Sequence, residues 1–497
     1  MEPLPKNIDT KLLKMPKPLF RYTVSGKSLE KYPDVFFYFA PEKKDKTKSK
    51  EKPITEDFPW FQAGKGEIEK SKTRWVVGLG EEKKLTLDDV ASTFVALAKT
   101  AGKSVEGLNI ALPTDLEKKF GSEILWNLFI TAFEVHNYPT DFLKESYGKQ
   151  KPKLKEVHIV CETSASSVKK WIHKYTILAR HINAMRQLQA LPANILTAES
   201  MEKRCRDLTK ELPLTLKVFK QKDLEKLGAG GILAVNKGSA REPRMLVLEY
   251  KPEKAKGPLA IIGKGVTFDT GGISLKPSSD MHEMKYDMSG SAAAVHSVAA
   301  IAELGLPVHA VAVVGMVENM PGSAAFKPGD VYKSLKGLTI EVQNTDAEGR
   351  LVLGDLLAYA DKTFKPKLMV NLATLTGAIM VALANFYAGL FTNSEEARKK
   401  IEEAANKSGE PVWYMPLDKK FKELLKSDIA DYNNIGGRWG GSSSAAAFLS
   451  LFVDEKTPWA HLDIAGIGFM KKSFNVYPTV ATGYGIRLLA QLAENLK

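Results

Sequence analysis

Polar residues that could carry out catalysis are concentrated in two short segments of the second half of the chain. The first, KGVTFDTGGISLKP (264–277), places Lys264, Asp269 and Lys276 around a Gly-Gly pair, directly after an apolar run typical of a strand. Asp-Thr-Gly-Gly is good turn chemistry, so a plain surface turn is one interpretation. A metal site is the other, and the rest of the chain distinguishes between them.

The second segment, NTDAEGRLVLGD (344–355), carries Asp346, Glu348 and Arg350 immediately before a helix pattern. Between the two segments, Asp287 precedes a further helix pattern. A single carboxylate at such a position is typical of a helix N-terminus, where it is stabilised by free N–H groups. Taken singly, these residues do not require a catalytic role.

Taken together, Asp269, Asp287, Asp346 and Glu348 predict a site for cations. Clustered carboxylates repel one another strongly unless positive charge lies between them. Two divalent cations would balance the four negative charges, which indicates a two-metal site. In such a site Lys264 can act as a neutral ligand, because a metal competes with the proton and burial lowers a lysine pKa from about 10.4.

The elements that must position these residues alternate between strand and helix patterns. The strand candidates are 34–40, 74–80, 108–113, 156–162, 215–220, 244–250, 259–265, 308–318, 338–344, 368–375 and 459–466. This alternation predicts an α/β fold with largely parallel sheets. Ligands bind beyond the carboxyl ends of the strands in such sheets. We expect Lys264 at a strand end and the four carboxylates at the ends of adjacent strands.

The length of 497 residues exceeds what one hydrophobic core usually covers and predicts two domains. We predict a smaller N-terminal α/β domain over 1–163, a linker helix over 164–191 and a larger catalytic α/β domain over 192–497. The larger domain should contain a mixed, mostly parallel sheet flanked by helices. The lysine-rich run 42–52 has no aromatic residue and is predicted to be a mobile charged insertion of undetermined role.

The net charge of +13 raises the question of a nucleic-acid partner. The lysine-rich run, however, has nothing that could stack on a base, and the remaining excess is scattered, so the sequence does not favour nucleic acid. Cys161 and Cys205 stand in no metal-ligand spacing and exclude a disulfide framework. Together with an N-terminus that lacks an apolar signal segment, they favour a cytoplasmic protein.

One uncharged stretch, residues 368–391, is long enough to span a membrane. Its polar residues Asn371 and Asn385, with Gly377 between them, argue against a spanning helix. We predict a buried strand, a turn and an apolar helix within a soluble core, and no membrane partner.

The two polar segments together resemble the signature of the leucyl aminopeptidase family, the di-zinc cytosolic metallopeptidases. The resemblance extends over the second domain through LPANILTAESM (191–201), NLATLTGA (371–378) and WAHLDIAG (459–466). The first domain is similar to the family only in its pattern. The resemblance implies a hydrolase that removes the N-terminal residue, with leucine or another apolar residue favoured, from peptides with a free N-terminus.

The resemblance also implies a role for each candidate ligand. Lys264, Asp269, Asp287, Asp346 and Glu348 match the metal-ligand positions, with Asp269 and Glu348 shared by both ions. Asp346 would serve the more exchangeable site, where Mn²⁺ or Mg²⁺ could replace Zn²⁺. A hydroxide bridging the two ions would be the nucleophile, because metal coordination lowers the pKa of water toward about 7.

Lys276 and Arg350 match the two catalytic positions of the family. Lys276 would polarise the scissile carbonyl, and Arg350 would hold a bicarbonate anion. The side-chain pocket would be formed by Met284, Thr374, Gly377 and Ala465. Gly468 departs from mammalian members, which carry a bulkier residue there, and leaves the side-chain preference open.

The resemblance further implies a homohexamer. The alternative hypothesis is a nucleic-acid-binding protein of the same fold with secondary peptidase activity.

Overall fold

A computed structural model describes residues 14–41, 55–146, 151–161 and 165–496. The predicted insertion at 42–52 lies outside the described residues. The chain divides into two compact units, one formed by Pro16–Asn183 with Lys472–Thr479 and the other by Ala184–Lys471 with Val480–Lys497. Compactness alone does not show independent folding, so the domain boundaries given above stay a prediction.

The first unit contains a six-stranded sheet covered by helices. Its strands are β1 (Arg21–Ser25), β2 (Asp34–Ala40), β3 (Ile68–Lys70), β4 (Arg74–Glu81), β5 (Gly107–Ile110) and β6 (Glu156–Val160). Their order is β1-β6-β5-β2-β4-β3, and every neighbouring pair is parallel except β3–β4. The helices are α1 (Leu87–Ser104), α2 (Thr114–Phe120) and α3 (Ser122–His136), followed by α4 (Ala165–Ala190), which continues into the second unit.

The second unit contains the remaining elements. Its strands are β7 (Thr215–Phe219), β8 (Arg244–Tyr250), β9 (Lys256–Asp269), β10 (Val308–Asn319), β11 (Val331–Lys333), β12 (Thr339–Glu341), β13 (Leu368–Ala373), β14 (Ala388–Thr392), β15 (Val412–Tyr414), β16 (Tyr432–Asn433), β17 (Trp459–Asp463), β18 (Phe469–Met470) and β19 (Val480–Ala481). Its helices are α5 (Ala198–Glu211), α6 (Gln221–Leu227), α7 (Gly230–Asn236), α8 (Ser289–Glu303), α9 (Gly349–Phe364), α10 (Gly377–Leu383), α11 (Glu395–Ser408), α12 (Lys419–Glu423), α13 (Gly441–Ser450) and α14 (Ile486–Asn495).

Eight of these strands form the central sheet, in the order β15-β14-β17-β13-β9-β10-β8-β7. The four middle strands β17, β13, β9 and β10 run parallel, whereas the pairs β17–β14, β10–β8 and β8–β7 are antiparallel. The apolar runs of β9, β10 and β13 are typical of strands buried on both faces. The predicted fold class, an α/β protein with a mixed, mostly parallel sheet, is confirmed.

Helices α8 and α9 cover opposite faces of the sheet at β9. A Cβ atom on Gly263 would lie 2.4 Å from the carbonyl oxygen of Gly290 in α8, whereas the next residue, Lys264, contacts Gly349 in α9. Successive residues of a strand face opposite sides, so the two helices enclose β9. The core on the α9 side includes Ile262 and Leu356.

Two expectations about strands near the polar segments are wrong. Strand β9 does not end near Lys264 but continues to Asp269, because β10 pairs with it as far as Asn319. Segment 338–344 supplies only the short strand β12, which pairs with β11 and β16 in a separate three-stranded sheet. The loop after β12 therefore does not leave the central sheet.

Residues 368–391 fold as β13, α10 and β14 rather than as one helix. Within the described ranges, no helix combines the length and apolar character needed to cross a membrane.

Candidate active site

The five predicted ligand residues lie in one cluster. Lys264 Nζ is 2.9 Å from Asp287 Oδ1 and 2.9 Å from Glu348 Oε1. Carboxylate oxygens of Asp269, Asp346 and Glu348 lie within 4.8 Å of one another. The cluster is buried except at Asp346, whose side chain is 34% exposed.

A β-bulge brings Asp269 to the same side of β9 as Lys264. Asp269 lies five positions after Lys264, and in a regular strand an odd offset places two side chains on opposite faces. The pairing of β9 with β10 shifts by one residue at Thr267, whose hydroxyl donates to Val317 O at 3.1 Å. This extra residue reverses the alternation. Both side chains therefore reach the cluster.

Asp269 is held through both carboxylate oxygens. Its Oδ1 accepts hydrogen bonds from Gly271 N at 2.9 Å and from Asn319 Nδ2 at 2.8 Å. Its Oδ2 lies 2.7 Å from Lys276 Nζ, which also contacts Asp346. Gly271 has a φ of 85°, a left-handed conformation that favours glycine. The glycine turn therefore folds this loop back onto the cluster.

Asp287 follows a short 3₁₀ helix, Met281–Tyr286. Its Oδ1 accepts from Thr374 Oγ1 at 2.7 Å, and Thr374 O accepts from Lys264 Nζ at 3.0 Å. The segment after β13 thus holds both Asp287 and Lys264.

The loop between β12 and α9 supplies Asp346 and Glu348. Asp346 N donates to Asn344 Oδ1 at 2.8 Å, and Thr345 Oγ1 donates to Gly271 O at 2.6 Å. These bonds fix the loop internally and against the glycine turn after Asp269. Glu348 occupies the N-cap position of α9.

The four carboxylates of the cluster outnumber the two lysine amines that contact them, so positive charge falls short of negative charge. Burial raises the pKa of Asp287, Asp346 and Glu348, and neighbouring carboxylates raise it further. Burial alone would lower the pKa of Lys264, but the carboxylates, led by Asp287, outweigh it and raise the pKa. The pKa of Lys276 is raised in the same way, chiefly by Asp269.

The donor set fits divalent cations. Among the described residues, Asp287 Oδ2 and Glu348 Oε1 are buried without a hydrogen-bond partner, and Glu348 Oε1 has only its ionic contact with Lys264. Carboxylate oxygens are preferred ligands of hard divalent ions, and a deprotonated amine suits Zn²⁺. The unpartnered Asp287 Oδ2 is an atom that a cation would satisfy.

Arg350 lies buried in the first turn of α9, next to the cluster. Its Nη1 donates to Asn434 O at 2.8 Å, and its Nε has no hydrogen-bond partner within the described part of the chain. Burial lowers the Arg350 pKa to about 10, although Glu348 and Asp463 act against this. The guanidinium therefore remains charged at neutral pH.

A cavity of about 420 Å³ adjoins the cluster. The four predicted pocket residues, Met284, Thr374, Gly377 and Ala465, all line it. Further lining residues that the sequence interpretation missed include Tyr286, Met380 and Phe469. Phe469 directly follows Gly468, the position at which this sequence departs from mammalian members of the family. The same segment could therefore have indicated Phe469 as a pocket residue.

Asn319 and Asn434 were also missed. Asn319 ends a strand pattern and contacts Asp269, whereas Asn434 lies in a polar loop and contacts Arg350. Each contact joins residues that are far apart in the sequence. A polar residue at the end of β10, the strand beside β9, is the signal that could have found Asn319.

Residues 183–490 match the catalytic domain of the cytosol aminopeptidase family. The chain belongs to this family. The matched range contains every candidate site residue, and the predicted membership of the leucyl aminopeptidase family is confirmed. The protein is accordingly a hydrolase of the leucyl aminopeptidase type.

Named relatives agree with this membership. A protein named "Probable cytosol aminopeptidase" from Chlorobaculum tepidum is 47% identical over 354 residues, 71% of this chain and 70% of the relative. One of the same name from Rickettsia conorii is 40% identical over 437 residues, 86% of each chain. The solved structure of the bottromycin maturation enzyme BotP in complex with Mn has a TM-score of 0.81 and 29% identity, covering 94% of this chain and 100% of BotP.

Proposed function

We propose that this family member removes the N-terminal residue from peptides in a reaction that depends on two divalent metal ions. The observation that carries the proposal is the convergence of four carboxylates and Lys264 beside a cavity of about 420 Å³. A cluster that serves only structure would not be expected to leave a buried carboxylate oxygen such as Asp287 Oδ2 without a partner.

Five residues would hold the ions. Asp269 and Glu348 would contact both, Lys264 and Asp287 would complete the tighter site, and Asp346 would complete the more exchangeable one. We propose Zn²⁺ for the tighter site and Zn²⁺, Mn²⁺ or Mg²⁺ for the other, whose ligands are all oxygen. When bound, the ions supply a water of lowered pKa and polarise a carbonyl oxygen.

Lys276 would act on the substrate carbonyl as an ammonium ion. Its Nζ lies 2.7 Å from Asp269 Oδ2, at the edge of the cavity, and its side chain is 20% exposed. The neighbouring carboxylates keep it protonated. A positive charge at this position stabilises the oxyanion that develops when the carbonyl is attacked.

Arg350 would hold a small anion, for which bicarbonate is our candidate. The free Nε of Arg350 and the N-terminal end of α9 are both suited to bind an anion. An anion held there could accept a proton from the attacking water.

The cavity would accept the side chain of the N-terminal residue. Methionine and aromatic walls favour leucine or another apolar side chain. A free α-amine beside the cluster would restrict cleavage to the first residue of a peptide. The homohexameric state and the cytoplasmic location remain predictions from the resemblance and the sequence.

The proposal is tested by metal analysis of the purified chain together with assays on leucine amide and N-acetyl-leucine amide. We expect about two ions per chain, loss of activity on chelation, recovery with Zn²⁺ or Mn²⁺, and no cleavage of the acetylated amide. Glu348→Gln should lose metal and activity. Glu341→Gln, in β12, is the control, because the Glu341 carboxylate accepts a hydrogen bond from Ser427 Oγ, outside the cluster. Full activity in metal-free protein would contradict the proposal.

A further inference from the structure

Asn434 precedes a glycine-rich segment that the proposed mechanism does not use. We propose that Asn434 is a positioning residue that holds the loop of Asp346 and Glu348 in the geometry needed to retain metal. This inference rests on the proposed two-metal function.

The side chain of Asn434 is fully buried and spans this loop. Its Oδ1 accepts from Gln343 N at 2.8 Å and from Asn344 N at 3.3 Å. Its Nδ2 donates to Asn344 O at 2.7 Å and to Ala347 O at 3.4 Å. An asparagine amide has two donors and an acceptor oxygen with two lone pairs, so all of its capacity is used on one loop.

The backbone of Asn434 connects the same loop to Arg350. Its N donates to Glu341 O at 2.9 Å, next to the pairing of β16 with β12, and its O accepts from Arg350 Nη1 at 2.8 Å. One residue therefore links β12, the ligand loop and the first turn of α9.

The loop needs such support because its backbone does not follow a strand of the central sheet, and it is joined to that side through Thr345, which bonds to the last residue of β10 and to the turn after β9. Lys264 and Asp269 lie in β9, whose backbone is paired with β10. Asp346 and Glu348 instead follow β12, a strand of three residues in a small sheet. Residues that orient metal ligands typically contribute about 10–100-fold to metal affinity or activity.

The competing explanation is that Asn434 contributes only to the stability of the fold. A substitution of the neighbouring Asn433 distinguishes this explanation from a positioning role. Asn433 is also buried, but its Nδ2 donates to Lys426 O at 2.6 Å, outside the ligand loop. Alanine at either position removes a buried amide at the same place in the chain. Only the change at Asn434 removes bonds to the loop.

The experiment compares wild type, Asn434→Ala and Asn433→Ala as full-length chains stripped of metal. Mn²⁺ dissociation constants, the melting temperature of the metal-free protein, and kcat and KM at increasing Mn²⁺ are measured. We expect Asn434→Ala to bind Mn²⁺ about 10–100-fold more weakly, with kcat recovering at high Mn²⁺. Asn433→Ala should have an Mn²⁺ dissociation constant within about twofold of the wild-type value, even if its melting temperature falls as much as that of Asn434→Ala.

Unchanged Mn²⁺ affinity in Asn434→Ala, or an equal loss in Asn433→Ala, would overturn the inference. If Asn434→Ala does not fold, Asn434→Asp replaces it, since it keeps the shape and the acceptor but loses both donors. We expect weakened Mn²⁺ binding in that variant, and wild-type binding would again overturn the inference. A wild-type chain that neither binds Mn²⁺ nor cleaves leucine amide would refute the proposed function instead.

Discussion

A Cβ atom on Gly349, the first residue of α9, would lie 2.6 Å from Lys264 Nζ. Lys264 is held on its other sides by Asp287, Glu348 and the carbonyl of Thr374. The amine therefore has little room to retreat, and glycine at this position permits its approach to the carboxylates.

Gly349→Ala should displace the Lys264 amine and weaken metal binding. We expect kcat/KM to fall about 10–100-fold, as for other changes that misplace metal ligands. Alanine is itself favourable in a helix, but its methyl group would crowd the buried Lys264 side chain at a typical cost of about 1–3 kcal/mol, so the melting temperature of the metal-free protein should also fall. Metal content after gel filtration and the rate on leucine amide check this. A normal metal content together with a normal rate on leucine amide would mean that Lys264 can move aside, and would contradict this prediction.

Lys276→Gln should slow the chemical step without removing metal. Loss of one group that stabilises an oxyanion costs about 100–1000-fold in kcat. Metal content and kcat are measured together, with Lys407→Gln as a control. Lys407 lies in α11 and pairs with Glu403, and its loss should leave both values unchanged. A normal kcat in Lys276→Gln would exclude this residue from the reaction.

Ala465→Leu should alter the side-chain preference. Ala465 lines the cavity, and a larger side chain there would occupy space meant for the substrate. Each methylene that a pocket loses or gains changes specificity by roughly 10–200-fold. We expect kcat/KM for leucine amide to fall at least about tenfold more than that for alanine amide. A parallel fall for both substrates would mean that Ala465 does not form the pocket.

The buried carboxyl group of Asp355 should make the free energy of unfolding depend on pH. It is buried in α9 and accepts hydrogen bonds from the backbone N–H groups of Gly231, Ile232 and Leu335. Burial raises the Asp355 pKa to about 7, although these bonds oppose the rise. Between about pH 4 and pH 7 the Asp355 carboxyl group is therefore protonated in the folded state and ionised in the unfolded state. The contribution of Asp355 to stability is present below this range and is lost as pH rises through it.

The comparison with Asp355→Asn isolates this effect. The advantage of the wild type over the variant, measured as the difference in melting temperature, should be larger at pH 5 than at pH 8. At pH 5 the variant should be less stable than the wild type by about 1–3 kcal/mol, because an amide cannot accept all three hydrogen bonds. An equal difference at both pH values would show that Asp355 stays ionised throughout.

Much of the central sheet could be predicted because its signals are local. The apolar runs of β10 and β13 are long enough to indicate buried parallel strands without knowledge of their neighbours. The candidate ligands stand close to helix starts and strand ends, and their charges alone predict a cation site. Their convergence could therefore be expected before any distances were known.

Other features depend on contacts between distant parts of the chain. The length of β9 follows from its pairing with β10, and the short strand β12 pairs with β16, which lies far along the sequence. The hydrogen bonds of Asn434 to the ligand loop likewise join residues more than 80 positions apart. A local pattern contains no information about such partners.

The bulge at Thr267 makes the number of residues between Lys264 and Asp269 as important as their identity. If the strand kept the same number of residues but lost the bulge, every candidate ligand would still be present in the sequence, yet the Asp269 carboxylate would lie on the opposite face of the sheet. An alignment that scores only matched motif letters would still classify such a chain as an intact enzyme. A related chain with one residue fewer in this segment keeps both side chains on one face only if its strand is regular, so the length of the segment and the presence of the bulge have to be compared together.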